Sequence, residues 1–407
     1  MPTTRTGPGE RASPAASLVS GEFLRHHDRL LRPALDVWAG ELHRELDELK
    51  PGTAAGSAQL DAVSACMNKA SFVIASTGNL DQALRLCRFQ LEWVDRRARD
   101  IGEAGVLSNA VQPWVNIGRL YALRGDRRRA LAHFRLALSL SRGRTTGLGP
   151  CRMTAKSWLA VVEAAPDLPD ILWNVYALET IKGCMRDGRD EDVLGMIASL
   201  RRSVPAHCHG FITEGEILVL LRQGNATEAV ARAERADPAS AYDEAAFRLH
   251  KTTGLILLGQ QERAFRLAFG TLAFLTNVEP RRPKDAPTLL RQLKYMGILM
   301  TAALNEPRYA LAANLRGLDI CATHDDQPLR HTFLRSALRL APTHPSAVRW
   351  RQELRDLSRG CLYREVRGRA AEAVPVDRVP FSGLCTAIET AATPVGGISE
   401  SRHERKE

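Results

Sequence analysis

The chain has 407 residues, 44% hydrophobic and 25% charged, and its 56 Lys+Arg against 46 Asp+Glu give a formal charge of +10. This is ordinary globular composition, which excludes a chain disordered throughout, a collagen-like fibre and a small disulfide scaffold. The length admits two or three compact domains or one array of repeats not limited by a single core.

Met1–Ser17 has neither a hydrophobic period nor the apolar core of an export signal, so a disordered tail is expected over residues 1–17. Residues 18–60 read as a helical lead-in and a linker. Leu24, Leu30, Leu31, Leu35, Trp38, Leu42 and Leu46 recur at amphipathic helical spacing, and Pro51–Ser57 has linker composition. No run reaches the roughly 20 apolar residues that a bilayer span requires. The eight cysteines are scattered without a CxxC pair, and Cys87 and Cys184 sit within apolar helical patterns; reduced thiols and a cytoplasmic location are expected. Arginine outnumbers lysine 48 to 8, a bias expected of GC-rich coding.

Residues 61–360 carry an internal repeat. Trp114, Ile117, Gly118 and Tyr121 share the face of a first helix; Gly125 supplies a permissive turn, and Asp126 can cap a second helix with Ala130, Phe134, Ala137 and Leu138 on its packed side. The same turn can be sought elsewhere by asking for a small residue five positions after the anchor. Gly78 with Ala83, Gly125 with Ala130, Gly188 with Val193, Gly224 with Ala229, Gly259 with Ala264 and Asn305 with Ala310 satisfy it, each anchor being followed by a polar residue. The anchor intervals are 47, 63, 36, 35 and 46 residues, so the array is irregular, and residues 142–173 read either as a degenerate repeat or as an insertion. Phe333–Pro345 ends like a further second helix, with a capping helix beyond it. Residues 361–407 are expected to be mostly disordered.

The Trp114–Leu140 segment resembles the tetratricopeptide repeat (TPR) superfamily. The resemblance implies an all-α, irregular α-solenoid of about six hairpins in a right-handed superhelix, whose first helices line a concave, partner-binding groove. Carried onto this sequence, it points Asn68, Phe72, Gln112, Arg119, Lys182, Glu214, Leu218, Leu249, Tyr295 and Leu299 toward that groove, polar and basic in the first half and apolar in the second. A ligand with an acidic end and an amphipathic face would suit it; the competing reading is that these residues pack on one another or on the lead-in helix. The carboxylate-clamp subfamily that holds chaperone tails is not matched, because Phe72 stands where a second amide is needed.

From Arg85 to Arg144 there are 13 arginines and 5 acids. Arg96, Arg97, Arg127, Arg128, Arg129 and Arg135 suggest a basic convex ridge, read as a solvated face in preference to a nucleic-acid surface because no aromatic interleaving accompanies it. His207-Cys208-His209 with Glu214 and Glu216 has metal-ligand types but not converging spacing, so no metal and no cofactor is expected. There is no Gly-rich phosphate loop, GxSxG or HExxH. The expected function is a noncatalytic protein- or peptide-binding adaptor, with self-association through the array left open. The alternatives are a ligand-responsive regulator and a motif-less accessory enzyme with a site between repeats.

Overall fold

The computed structural model describes residues 32, 34–48, 57–96, 98–142, 147–152, 155–164, 166, 168–186, 189–202, 209–281, 285–361, 363 and 366. The expected N-terminal tail and the Pro51–Gly56 part of the linker lie outside them, as does the expected C-terminal tail apart from residues 361, 363 and 366, of which Cys361 and Tyr363 are buried. The described chain divides into two compact units, Leu35–Leu172 and Trp173–Cys361.

The first unit contains α1 (Leu35–Glu48), α2 (Ser57–Ser76), α3 (Leu80–Arg96), α4 (Ala98–Leu123), α5 (Arg127–Ser141), a strand pair β1 (Gly147–Leu148) and β2 (Cys151–Arg152), and α6 (Ala155–Ala164). Helices α1 to α5 pack each on the next, α2 also packs on α4, and α6 lies on α4. Segment 142–173 thus holds the strand pair, α6 and the start of α7 (Leu168–Arg186). Its antiparallel strands pair Gly147 with Arg152 and Leu148 with Cys151 around Gly149, whose φ is +64°. These two residues per strand are the one departure from all-α among the described residues.

The second unit continues through α8 (Asp190–Arg202), α9 (His209–Arg222), α10 (Ala226–Glu234), α11 (Ala241–Leu257), α12 (Gln261–Asn277), α13 (Asp285–Ile298) with a π-helical end (Leu299–Ala303), α14 (Pro307–His324), α15 (Gln327–Leu340) and α16 (Ala347–Gly360). From α8 onward each helix packs on its successor, and α9 on α11, α11 on α13, α12 on α14 and α13 on α15. Packing onto the next helix and the next but one is what an all-helical repeat requires, because one hairpin alone leaves an apolar face uncovered.

One turn recurs through both units. Gly78, Gly125, Gly224, Gly259 and Asn305 have φ of 97, 82, 78, 72 and 55°, the left-handed backbone that glycine, and after it asparagine, adopts most readily. The N–H of the following residue donates to the carbonyl five positions back: Asp126 to Tyr121, Arg189 to Cys184, Asn225 to Leu220 and Gln260 to Leu255. Glu306 instead reaches six back, to Met300, because the π segment inserts one residue. The small residue then donates to the carbonyl of the polar one in all six hairpins, Ala83 to Asn79 through Ala310 to Glu306, and Ala83, Ala130, Val193, Ala229, Ala264 and Ala310 are all buried. Asp126 and Asn225 also accept from Arg129 N and Glu228 N, satisfying orphan donors of the new helix.

Close helix approach is set by glycine against a ring. A Cβ on Gly118 would stand 2.8 Å from Phe134, and one on Gly317 would stand 2.5 Å from Phe333; both phenylalanines lie sixteen residues on and are buried. Trp114 stacks on His133 at 4.3 Å and donates to the His133 carbonyl at 3.1 Å, while Tyr121 and Ala137 are buried beside them.

Candidate functional site

In the first unit, polar side chains stitch the first helices of two hairpins together. Asn109 of α4 donates to Asp61 of α2 at 2.7 Å, and two helical turns on, Asn116 Nδ2 donates to Asn68 Oδ1 at 3.3 Å. Gln112 Nε2 donates to Asn116 Oδ1 at 3.1 Å, and Gln112 is exposed. Asn68, Asn116 and Gln112 thus form a continuous amide seam with Arg119 half-buried three residues beyond Asn116. Each amide carries two donor hydrogens and a carbonyl acceptor, so the seam keeps capacity of both kinds after its internal bonds are made.

The lead-in helix covers part of this face. Trp38 meets Phe72 edge-on at 5.9 Å, and Glu45 accepts from Lys69 at 2.6 Å and from the Cys66 thiol at 3.4 Å. Phe72 is therefore a packing residue against α1. Burial and the neighbouring carboxylate push the Cys66 thiol up to about 12, and burial also raises Cys87 to about 11 and Cys151 to about 12. These thiols are poor nucleophiles at neutral pH. Six cysteines among the described residues are buried and form no disulfide.

In the second unit the residues expected on the apolar half of the groove are buried. Leu218, Leu249, Tyr295 and Leu299 are buried interior side chains, because successive first helices α9, α11 and α13 pack directly on one another there. The polar residues go in with them. Glu214 Oε1 lies 2.9 Å from His250 Nε2 with both side chains buried, and Thr253 Oγ1 lies 2.5 Å from the Tyr295 hydroxyl. Lys182 is also buried, 3.7 Å from Glu179 one helical turn away. Lys182, Glu214, Leu218, Leu249 and Tyr295 are thus all buried side chains of the second unit.

The basic ridge is divided. Arg96, Arg128 and Arg135 are exposed, Arg127 is half-buried, and Arg97 lies outside the described residues. Arg129 instead joins Asp81, Leu84, Arg85, Arg88, Tyr121 and Arg124 around a cleft of about 350 Å³. Three of those arginines were not singled out from the sequence, although the Arg85/Arg88 spacing places both on one face of α3. His207 and Cys208 of the metal-like cluster lie outside the described residues, and among the described ones no three His, Cys, Asp or Glu side chains converge on a common point. No described helix is long and apolar enough to cross a membrane.

No protein-family model matches the chain, and no curated protein matches it in sequence.

Proposed function

We propose that the chain is a noncatalytic TPR-like module that holds a protein or peptide partner along the first-helix face of the Leu35–Leu172 unit, acting as an adaptor in the cytoplasm. The observation that carries the reading is the Asn68–Asn116–Gln112 seam. An extended peptide offers alternating N–H and C=O groups, and side-chain amides on neighbouring helices can answer both without demanding a particular sequence. Arg119, on the same helix face, would favour an acidic group on the partner. The recurring left-handed turn and buried small residue support the TPR-like part of the proposal, and the buried, unbridged cysteines support a reducing compartment.

The test is a peptide-display selection on the full chain, followed by affinity measurement on Gln112→Ala, Asn116→Ala and Arg119→Ala. Loss of one ligand hydrogen bond in such a seam costs about 1 kcal/mol, so a several-fold weakening is expected for each variant, with Gln112→Ala keeping the parent melting temperature. Selected peptides that bind all three variants as tightly as the parent would overturn the groove reading.

A further inference from the structure

The arginine cleft lies on different residues from the amide seam, and its electrostatics ask for a ligand of their own. Arg85 and Arg88 come from α3, Arg124 from the end of α4, and Arg129 from the first turn of α5. Tyr121 forms the wall. Its ring lies 5.5 Å beneath the Arg129 guanidinium, and its hydroxyl accepts from Arg88 Nη2 at 2.7 Å, which fixes the Arg88 fork. Arg124 is paired with Asp81 at 2.7 Å and Arg129 with Asp126 at 3.4 Å. Arg85 is exposed and carries no hydrogen bond or ion pair among the described residues. Two carboxylates against four guanidinium groups leave two positive charges unmatched.

Helix α5 opens with Arg127-Arg128-Arg129 behind its N-cap Asp126, whose side chain accepts from Arg129 N, so the anion that this helix end favours is already supplied by the chain and the cleft stands on its own arginines.

We propose that this cleft is a binding site for a phosphomonoester dianion. The charge selects the class, since a phosphomonoester carries about −1.5 to −2 near neutral pH, whereas a carboxylate or an internal phosphodiester carries one charge. The donor chemistry suits it as well: a guanidinium fork can donate two parallel hydrogen bonds to a phosphate, Arg85 makes no bond of its own among the described residues, and Arg88 gives only Nη2 to Tyr121. A cleft of about 350 Å³ admits a phosphate together with the small group that bears it, and the Tyr121 ring offers that group an apolar side. Nucleic acid would instead need a track of cations each neutralising a separate phosphate, with Arg128 and Arg135 sharing in the binding.

The experiment is calorimetric titration of the full chain with phenyl phosphate, free phosphoserine and a short phosphoserine peptide, with a single-stranded oligonucleotide run in parallel. One-to-one saturable binding of the phosphomonoesters is expected, weakening several-fold between about pH 7.5 and about pH 5 as the dianion takes up a proton near pH 6. Arg85→Gln combined with Arg88→Gln should weaken it at least tenfold, and Arg128→Gln combined with Arg135→Gln should leave it unchanged. Arg85→Gln alone, at an exposed and unpaired side chain, guards against a folding artefact and should still cost several-fold. Tighter binding of the peptide than of free phosphoserine would assign the phosphate to a protein partner; equal binding would assign it to a small metabolite, and either result supports the site. No saturable phosphomonoester binding, binding indifferent to Arg85 and Arg88, or oligonucleotide binding that the ridge pair weakens as much as the cleft pair would overturn it. Because Gln112 and Asn116 take no part in this titration, failure here leaves the amide-seam reading standing, and failure of that reading leaves this one.

Discussion

The two units are built on the same hairpin turn but use the inward face of their first helices in opposite ways. In Leu35–Leu172 the first helices are joined by buried Asn109 with exposed Asp61 and by the half-buried amides Asn116 and Asn68, with exposed Gln112 bonded to Asn116 on the same helix. In Trp173–Cys361 they are joined by Glu214 with His250 and Thr253 with Tyr295, sealed among Leu218, Leu249 and Leu299. Second helices differ too. Helix α8 begins with Asp190, Glu191 and Asp192, which complement the helix dipole, whereas α5 begins with three arginines and leaves that complement to its N-cap Asp126. A buried seam is a stability device and an open one is available to a partner, so the first unit is where recognition is expected and the second is where rigidity is.

If that contrast is right, substitutions at matched positions should separate cleanly. Leu249→Ala removes a fully buried side chain and should destabilise by about 2–5 kcal/mol, while Gln112→Ala at the open seam should stay within about 0.5 kcal/mol. Urea unfolding of both variants gives the comparison, and an equal effect would erase the distinction between the two faces. A smaller effect tests what the units share. Gly317→Ala and Gly118→Ala both drive a methyl group into a buried phenylalanine, and overpacking of this kind costs about 1–3 kcal/mol. The closer approach at Gly317, to three ring carbons, should make it the worse of the two; parent-like stability of both would show that the glycine–ring contact does not set helix approach.

The turns were legible in the sequence because the constraint is local. A left-handed residue followed five positions later by a small buried one admits few residue types, so Gly125–Ala130 and its counterparts could be found by spacing alone. The arginine cleft was not legible, since Arg85 and Arg88 meet Arg124 and Arg129 only after α3, α4 and α5 have packed. For the same reason Leu218 and Leu249 read as groove residues: register tells which side of a helix a residue occupies, not how closely the next first helix will approach. The two-residue strands around Gly149 are too short for any period, and the one-residue π insertion before Asn305 shifts a register that spacing assumed constant.

The smallest effect tests the wall of the arginine cleft through His133. Its ring is stacked on Trp114, its centroid is 5.4 Å from that of Tyr121, and Nδ1 donates to the Arg129 carbonyl at 2.8 Å. Burial, with the Arg88 guanidinium adding to it and the Arg129 carbonyl opposing, holds the imidazole below its ordinary value. The folded state therefore binds fewer protons than the unfolded one in the window between the depressed value and the ordinary one near pH 6.5. Stability is fully present above that window and is lost as pH falls through it. His133→Phe keeps an aromatic ring against Trp114 and removes the titration, so the melting temperature of the variant should fall less than that of the parent between about pH 7 and about pH 5. An identical acid slope in the two proteins would mean that the packing around Trp114 and Tyr121 does not hold this ring neutral, and would loosen the wall on which the arginine cleft is built.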